Sequence, residues 1–114
     1  MPTLVTLKKR ADFVRLRRGR KIMSPYFILR VGAADVARVD TARVGYTVTT
    51  QCGNAVTRNR MKRRLRALVR ELLPEKAHAG QDYVFIALAE AKPNLAEAPF
   101  ADIRSAFLRA VERL

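Results

Sequence analysis

Residues 53–70 read GNAVTRNRMKRRLRALVR, and the spacing inside this stretch decides how the chain folds around it. Projected at the helical angle, Met61, Leu65, Leu68, Val69 and, just beyond, Leu72 fall in one narrow arc that has to face a core. The opposite arc collects Asn59, Arg63, Arg66 and Arg70, with Arg60 and Lys62 at its two edges. Asn54 or Thr57 suits the N-cap, and Pro74 stops the helix. From 57 to 70 there are seven basic residues and no acidic one. Like charges four apart weaken an isolated helix, so something outside it must offset the repulsion. A phosphate backbone does so directly. The first turn adds a second device: free N–H groups and the positive dipole end attract an anion, and Arg58 sits among them. The Asn59 amide both donates and accepts, which suits a base edge or a 2′-hydroxyl.

Working outward, the flanks alternate. Residues 42–50 (ARVGYTVTT) set Val44, Tyr46 and Val48 against Arg43, Thr47 and Thr49, as a strand does. Residues 82–89 (DYVFIALA) are nearly all apolar, which predicts a strand buried on both sides. Residues 24–33 predict another, with Tyr26, Ile28 and Arg30 on one face and Phe27, Leu29 and Val31 on the other. Residues 7–18 (LKKRADFVRLRR) predict a short helix closed by Gly19. Residues 100–114 predict a last helix, with Phe100, Ile103, Phe107, Val111 and Leu114 on its apolar stripe. Residues 34–41 make a polar connection with room for a short extra strand. The expected order is α-β-β-α-β-α: one domain over residues 1–114, an α+β sandwich with helices packed on a small sheet.

The charge is lopsided. Residues 1–70 carry 18 basic and 3 acidic side chains, a net of +15, while residues 71–114 carry 5 and 7, a net of −2. Arg predominates over Lys, which favours bidentate phosphate contact. Solubilising surfaces mix both signs; this one does not. Hydrophobic residues make up 49%, enough for a folded core. No apolar run approaches the roughly 18 residues of a membrane span, and the start MPTLVTLKKR is too short an apolar stretch for a secretory signal. Cys52 is the single cysteine, so no intrachain disulfide forms, and a lone thiol fits a reducing compartment. The expected location is the cytoplasm. His78 is the only histidine and reads as a surface residue beside a helix end. The acids are scattered and mostly C-terminal, so no two-carboxylate metal site of a protein nuclease is expected.

The run GNAVTRNRMKRRLR resembles the RNR motif of the bacterial ribonuclease P protein subunit. The early basic helix with Asp12-Phe13, Gly19 after it, the YFIL strand, RVGYTV just before GNAV, and the apolar strand with its C-terminal helix match in order. The resemblance spans nearly the whole chain. It implies a non-catalytic subunit of a ribonucleoprotein endoribonuclease, bound one-to-one to a catalytic RNA, that helps remove the 5′ leader from precursor tRNA. It also implies a left-handed β-α-β crossover, against the general rule. Mg²⁺ would be held mainly by the RNA subunit and substrate, with no metal on the protein and no membrane partner.

On that basis Asn54, Arg58, Asn59, Arg60, Arg63 and Arg64 are expected to bind the catalytic RNA. Phe13, Arg17, Tyr26, Ile28, Arg30, Lys62 and Arg66 are expected to line a cleft for the leader, where an aromatic ring can stack an unpaired base. Arg17 and Arg30 stand where the family often has aromatics, and Thr50-Gln51 where it usually has a Lys pair. Two alternatives compete: a structural or ribosomal RNA-binding protein without a role in tRNA cleavage, and a DNA-binding regulator. The second lacks the partner helix of a helix-turn-helix, because a strand precedes Gly53.

Overall fold

The computed structural model describes residues 1–35 and 40–114. Its elements are β1 (Thr3–Thr6), α1 (Arg10–Leu16), β2 (Arg20–Met23), β3 (Phe27–Ala33), β4 (Thr41–Thr47), a 3₁₀ turn (Thr50–Cys52), α2 (Ala55–Leu72), β5 (Gln81–Ala87) and α3 (Phe100–Val111). The strands form one sheet in the order β1-β4-β5-β3-β2. β1 and β5 run parallel to β4, while β3 is antiparallel to both β5 and β2. α2 is therefore the crossover between two neighbouring parallel strands.

Two of the five strands go beyond the expected order. β1 and β2 are four residues each, too short for alternation to declare itself. The first helix is correspondingly shorter than predicted. It starts at Arg10, because Leu7 sits in the extended segment after β1, where its N–H bonds to the Val44 carbonyl at 2.8 Å. The strand expected from residue 24 starts at Phe27, after the turn that closes the β2–β3 hairpin. The extra strand allowed for within 34–41 falls partly on residues 36–39, outside the described residues; Thr41 itself begins β4.

The long helix begins as its sequence predicts. Asn54 is the N-cap, its side-chain oxygen accepting the Thr57 N–H at 2.9 Å. Met61, Leu65, Leu68 and Val69 are buried, and Leu72 at the last turn is half-buried. On α3 the buried stripe is Ile103, Ala106, Phe107, Ala110 and Val111. Phe100, expected on it, is exposed at the helix start instead.

The two faces of the sheet carry separate apolar clusters. One joins Phe27, Leu29, Val44, Tyr83 and Phe85 to the buried residues of α2 and α3. Phe85 and Phe107 stack there with ring centroids 5.0 Å apart. The other joins Leu7, Leu16 and Val84, with Phe13 and Ile86 packed against them. β5 supplies both clusters from alternating positions, which is the two-sided burial its apolar run implies.

Candidate nucleic-acid interface

The outer face of α2 is a continuous cationic surface. Asn59, Arg63, Arg66 and Arg70 are exposed, and among the described residues none of the seven bases of this helix pairs with a carboxylate. The one acid on the helix, Glu71, is taken by Arg104 of α3 at 2.5 Å. This arrangement leaves the phosphate-seeking groups free while turning the only intrahelical anion toward the neighbouring helix.

The expected RNA-binding residues differ in how free they are. Arg58 curls back over the first turn, its Nε donating to the Gly53 carbonyl at 3.1 Å. Arg60 donates from Nε to the Ala96 carbonyl at 2.8 Å. Arg64 donates to the carbonyls of Leu95 and Ala98, at 3.1 and 2.7 Å, and its guanidinium lies 5.9 Å from the Phe100 ring centroid. Burial and the neighbouring Arg60 hold Arg64 below the usual guanidinium range. These two arginines clamp the loop before α3 and keep part of their donor sets for a partner. Asn54 spends its oxygen on the cap, which leaves its amide NH₂. Arg63, at the centre of the exposed arc, has no hydrogen-bond partner among the described residues.

The seven residues expected to form one cleft are divided by the sheet. Phe13 belongs to the α1-side cluster. Ile28 and Arg30 share its side, since their β5 partners are Ile86 and Val84, and Arg17 is exposed where α1 ends. Arg30 also donates to the Gly19 carbonyl at 3.3 Å. Tyr26 packs against the opposite cluster. Lys62 and Arg66 lie on α2, whose apolar arc is seated on that same opposite face, and Arg66 sits 5.6 Å from the Tyr46 ring centroid. A single layer of strands therefore separates Tyr26, Lys62 and Arg66 from Phe13, Arg17, Ile28 and Arg30. The helical projection of α2 cannot tell which face of the sheet receives it.

The sequence reading also missed a buried ionic network. The acids treated as scattered converge: Asp12 of α1, Asp82 of β5 and Asp35 all reach Arg43 of β4. Arg43 is 7% exposed, Asp12 2% and Asp82 0%. Arg43 holds Asp82 in a two-point grip, at 2.8 and 2.6 Å, and Arg15 reaches Asp82 at 2.6 Å and Asp12 at 3.2 Å. Hydrogen bonding to Asp82 drives the Arg43 pKa up, outweighing its burial. The arrangement satisfies each charge with another and ties α1 to the sheet. The alternation of residues 42–50 set Arg43 on the polar face, opposite Val44, and nothing in that pattern shows that α1 covers this face as well.

Close approach matters at several glycines, Gly19 and Gly45 among them. A Cβ on Gly45 would stand 2.6 Å from Phe13 Cζ, so the ring lies directly on the β4 backbone. His78 is exposed, as expected, and its backbone N–H donates to the Tyr83 hydroxyl at 2.8 Å. Among the described residues no three His, Cys, Asp or Glu side chains are placed to hold a metal ion, and no helix is long and apolar enough to cross a membrane.

Comparison with known proteins gives a consistent result. The family model described as Ribonuclease P matches residues 1–114. The ribonuclease P protein component of Bartonella quintana is 43% identical over 110 residues, covering 93% of this chain and 80% of the relative. That of Paramagnetospirillum magneticum is 40% identical over 111 residues, covering 95% and 80%. Among solved structures, the RNase P protein of Thermotoga maritima superposes with a TM-score of 0.75 at 24% identity, covering 96% of each chain. That of Staphylococcus aureus gives 0.74 at 23%, covering 95% of this chain and 93% of the other.

Proposed function

Because this chain belongs to the ribonuclease P protein family, the non-catalytic protein component of a ribonucleoprotein endoribonuclease, we propose that α2 is the surface it lays against its RNA partner. Asn59 and Arg63 supply free donors there, and Asn54, Arg58, Arg60 and Arg64 add what their internal bonds leave unused. The observation that carries this reading is the cationic face of α2, with no carboxylate in contact among the described residues. A surface of that kind is matched to polynucleotide phosphates.

The 5′ leader of precursor tRNA is assigned to the other side of the sheet, along Phe13, Arg17, Ile28 and Arg30 beside α1. The half-buried Phe13 ring offers an edge for an unpaired base, and Arg17 and Arg30 provide phosphate contacts. Arginine also stacks on bases, so replacing aromatics by Arg17 and Arg30 shifts leader recognition toward the backbone. The protein works one-to-one with its RNA, and Mg²⁺ is held mainly by the RNA subunit and the substrate.

Reconstitution tests the proposal. Added to a bacterial ribonuclease P RNA at low Mg²⁺ and moderate salt, the protein should raise precursor-tRNA cleavage well above RNA alone. No gain would remove the leader-binding role. Arg17→Ala and Arg30→Ala should weaken precursor tRNA more than mature tRNA; equal losses on both would place these side chains elsewhere in the complex.

A further inference from the structure

On the edge of the sheet away from α3, β1 and α2 bound an open groove of about 360 Å³, within the size of small-ligand sites, roughly 300–1,000 Å³. Its floor is apolar, made by Leu4, Val44 and Val69, and its wall is Tyr46, Arg66 and Arg70. One side of the Tyr46 ring is stacked on Phe85, centroids 6.3 Å apart. The Arg66 guanidinium lies 5.6 Å from the centroid of the same ring. Neither Arg66 nor Arg70 has a carboxylate partner among the described residues, and both act electrostatically on the Tyr46 hydroxyl. The groove opens onto the outer arc of α2, where Arg66 and Arg70 are exposed.

Three features together select an occupant. An apolar floor wants a flat or aliphatic body, a ring-backed guanidinium offers a plane on which a base can stack, and a second free guanidinium wants an anion. An unpaired nucleotide has all three counterparts in one residue. A purely apolar guest would leave two cations unanswered, and a duplex is too wide to enter.

We propose that the groove between β1 and α2 is a binding site for one unpaired ribonucleotide, its base against Arg66 over the Leu4–Val44–Val69 floor and its phosphate at Arg70. The site is separate from the α1 side of the sheet, to which the leader is assigned above. It rests on the reading that α2 faces RNA, and adds to it a pocket in which one nucleotide leaves the helix surface and is held by shape.

The occupant can come from the catalytic RNA or from the substrate, and the test separates them. Thr6 is exposed, lines the groove and shares the sheet face of Leu4 and Val44, so Thr6→Trp fills it without changing the charge. Full-length Thr6→Trp should bind ribonuclease P RNA roughly fivefold or more weakly if the nucleotide belongs to that RNA, as expected for one lost stack. If it belongs to the substrate, the same loss should appear for precursor tRNA presented to the holoenzyme. In either case the slope of log affinity against log salt should stay unchanged, whereas Arg70→Ala should lower it by about 0.7. Unchanged affinity for both RNAs would overturn the proposal. If Arg63→Ala still lowers the salt slope, the reading of α2 itself survives that failure. Should Thr6→Trp not fold, backbone and methyl NMR of the unaltered protein with a short single-stranded oligoribonucleotide gives the answer. Shifts concentrated at Leu4, Val5, Tyr46 and Val69 support the site, and shifts confined to α2 and α1 overturn it.

Discussion

Arg63 and Arg64 are neighbours in the chain with opposite duties. Arg63 is exposed and has no partner among the described residues, whereas Arg64 is half-buried and bridges two carbonyls of the loop before α3. Arg63→Ala should therefore leave urea stability within about 0.5 kcal/mol and lower the salt slope of RNA binding by about 0.7–0.9. Arg64→Ala should cost about 1–2 kcal/mol of stability in the same urea titration, through lost hydrogen bonds from a charged donor. The helix projection separated core from surface on α2, but carbonyls more than 30 residues away leave no mark on it. Asp82 makes the same point more strongly. In the sequence it is one acid at the head of an apolar strand; in the fold it is fully buried between two arginines. Asp82→Asn should cost about 3–5 kcal/mol, since it removes the two-point carboxylate partner of buried Arg43 and leaves it only Asp12 at 3.4 Å and the exposed Asp35 at 2.9 Å, again read by urea unfolding. Tyr46 gives a pH signature. Burial pushes its phenol up to about 12, against the opposing pull of Arg66 and Arg70. An unfolded tyrosine titrates near 10, so the folded state keeps this proton longer. Its contribution is complete below pH ~10 and is lost as pH rises toward ~12. Ultraviolet titration should show a delayed tyrosinate component that Tyr46→Phe removes.

Among the elements, those with a long pattern were legible and the short ones were not. α2 carries a cap, a stop and a five-residue apolar arc, and β5 an unbroken apolar run. β1 (TLVT) and β2 (RKIM) hold four residues each. Thr3, Val5 and Thr6 favour extended backbone, but four residues set no register, and it is pairing with β4 and β3 that makes the two segments strands. The division of the expected cleft has the same origin. Each face of β3 could be read from alternation, but which helix covers which face is a tertiary fact. The contact of α1 with β4 is tight enough to test. Gly45→Ala would drive a methyl into the Phe13 ring, and overpacking of this kind costs about 1–3 kcal/mol. Thermal unfolding should report that loss. Because α1 must move, precursor-tRNA affinity should fall with it while binding of mature tRNA changes little. Full affinity for both would show that the leader does not depend on where α1 sits.

For the molecule as a whole, a net charge of +13 in 114 residues stores repulsion that a polyanion relieves. Ribonuclease P RNA should raise the midpoint of thermal unfolding, and 1 M salt should erase most of that gain by screening. A midpoint indifferent to RNA at low salt would contradict a phosphate-facing α2. The strand order carries a further consequence. β5 is the last strand in the chain yet stands in the middle of the sheet, between β4 and β3. Without it only two separate ribbons exist, β1 with β4 and β2 with β3. During synthesis the sheet therefore cannot close until residue 87 has left the ribosome, 15 residues after Leu72 ends the arginine-rich helix. A nascent chain arrested before Gln81 should lack native protection from proteases, and its bare cationic stretch would spend that interval beside ribosomal RNA.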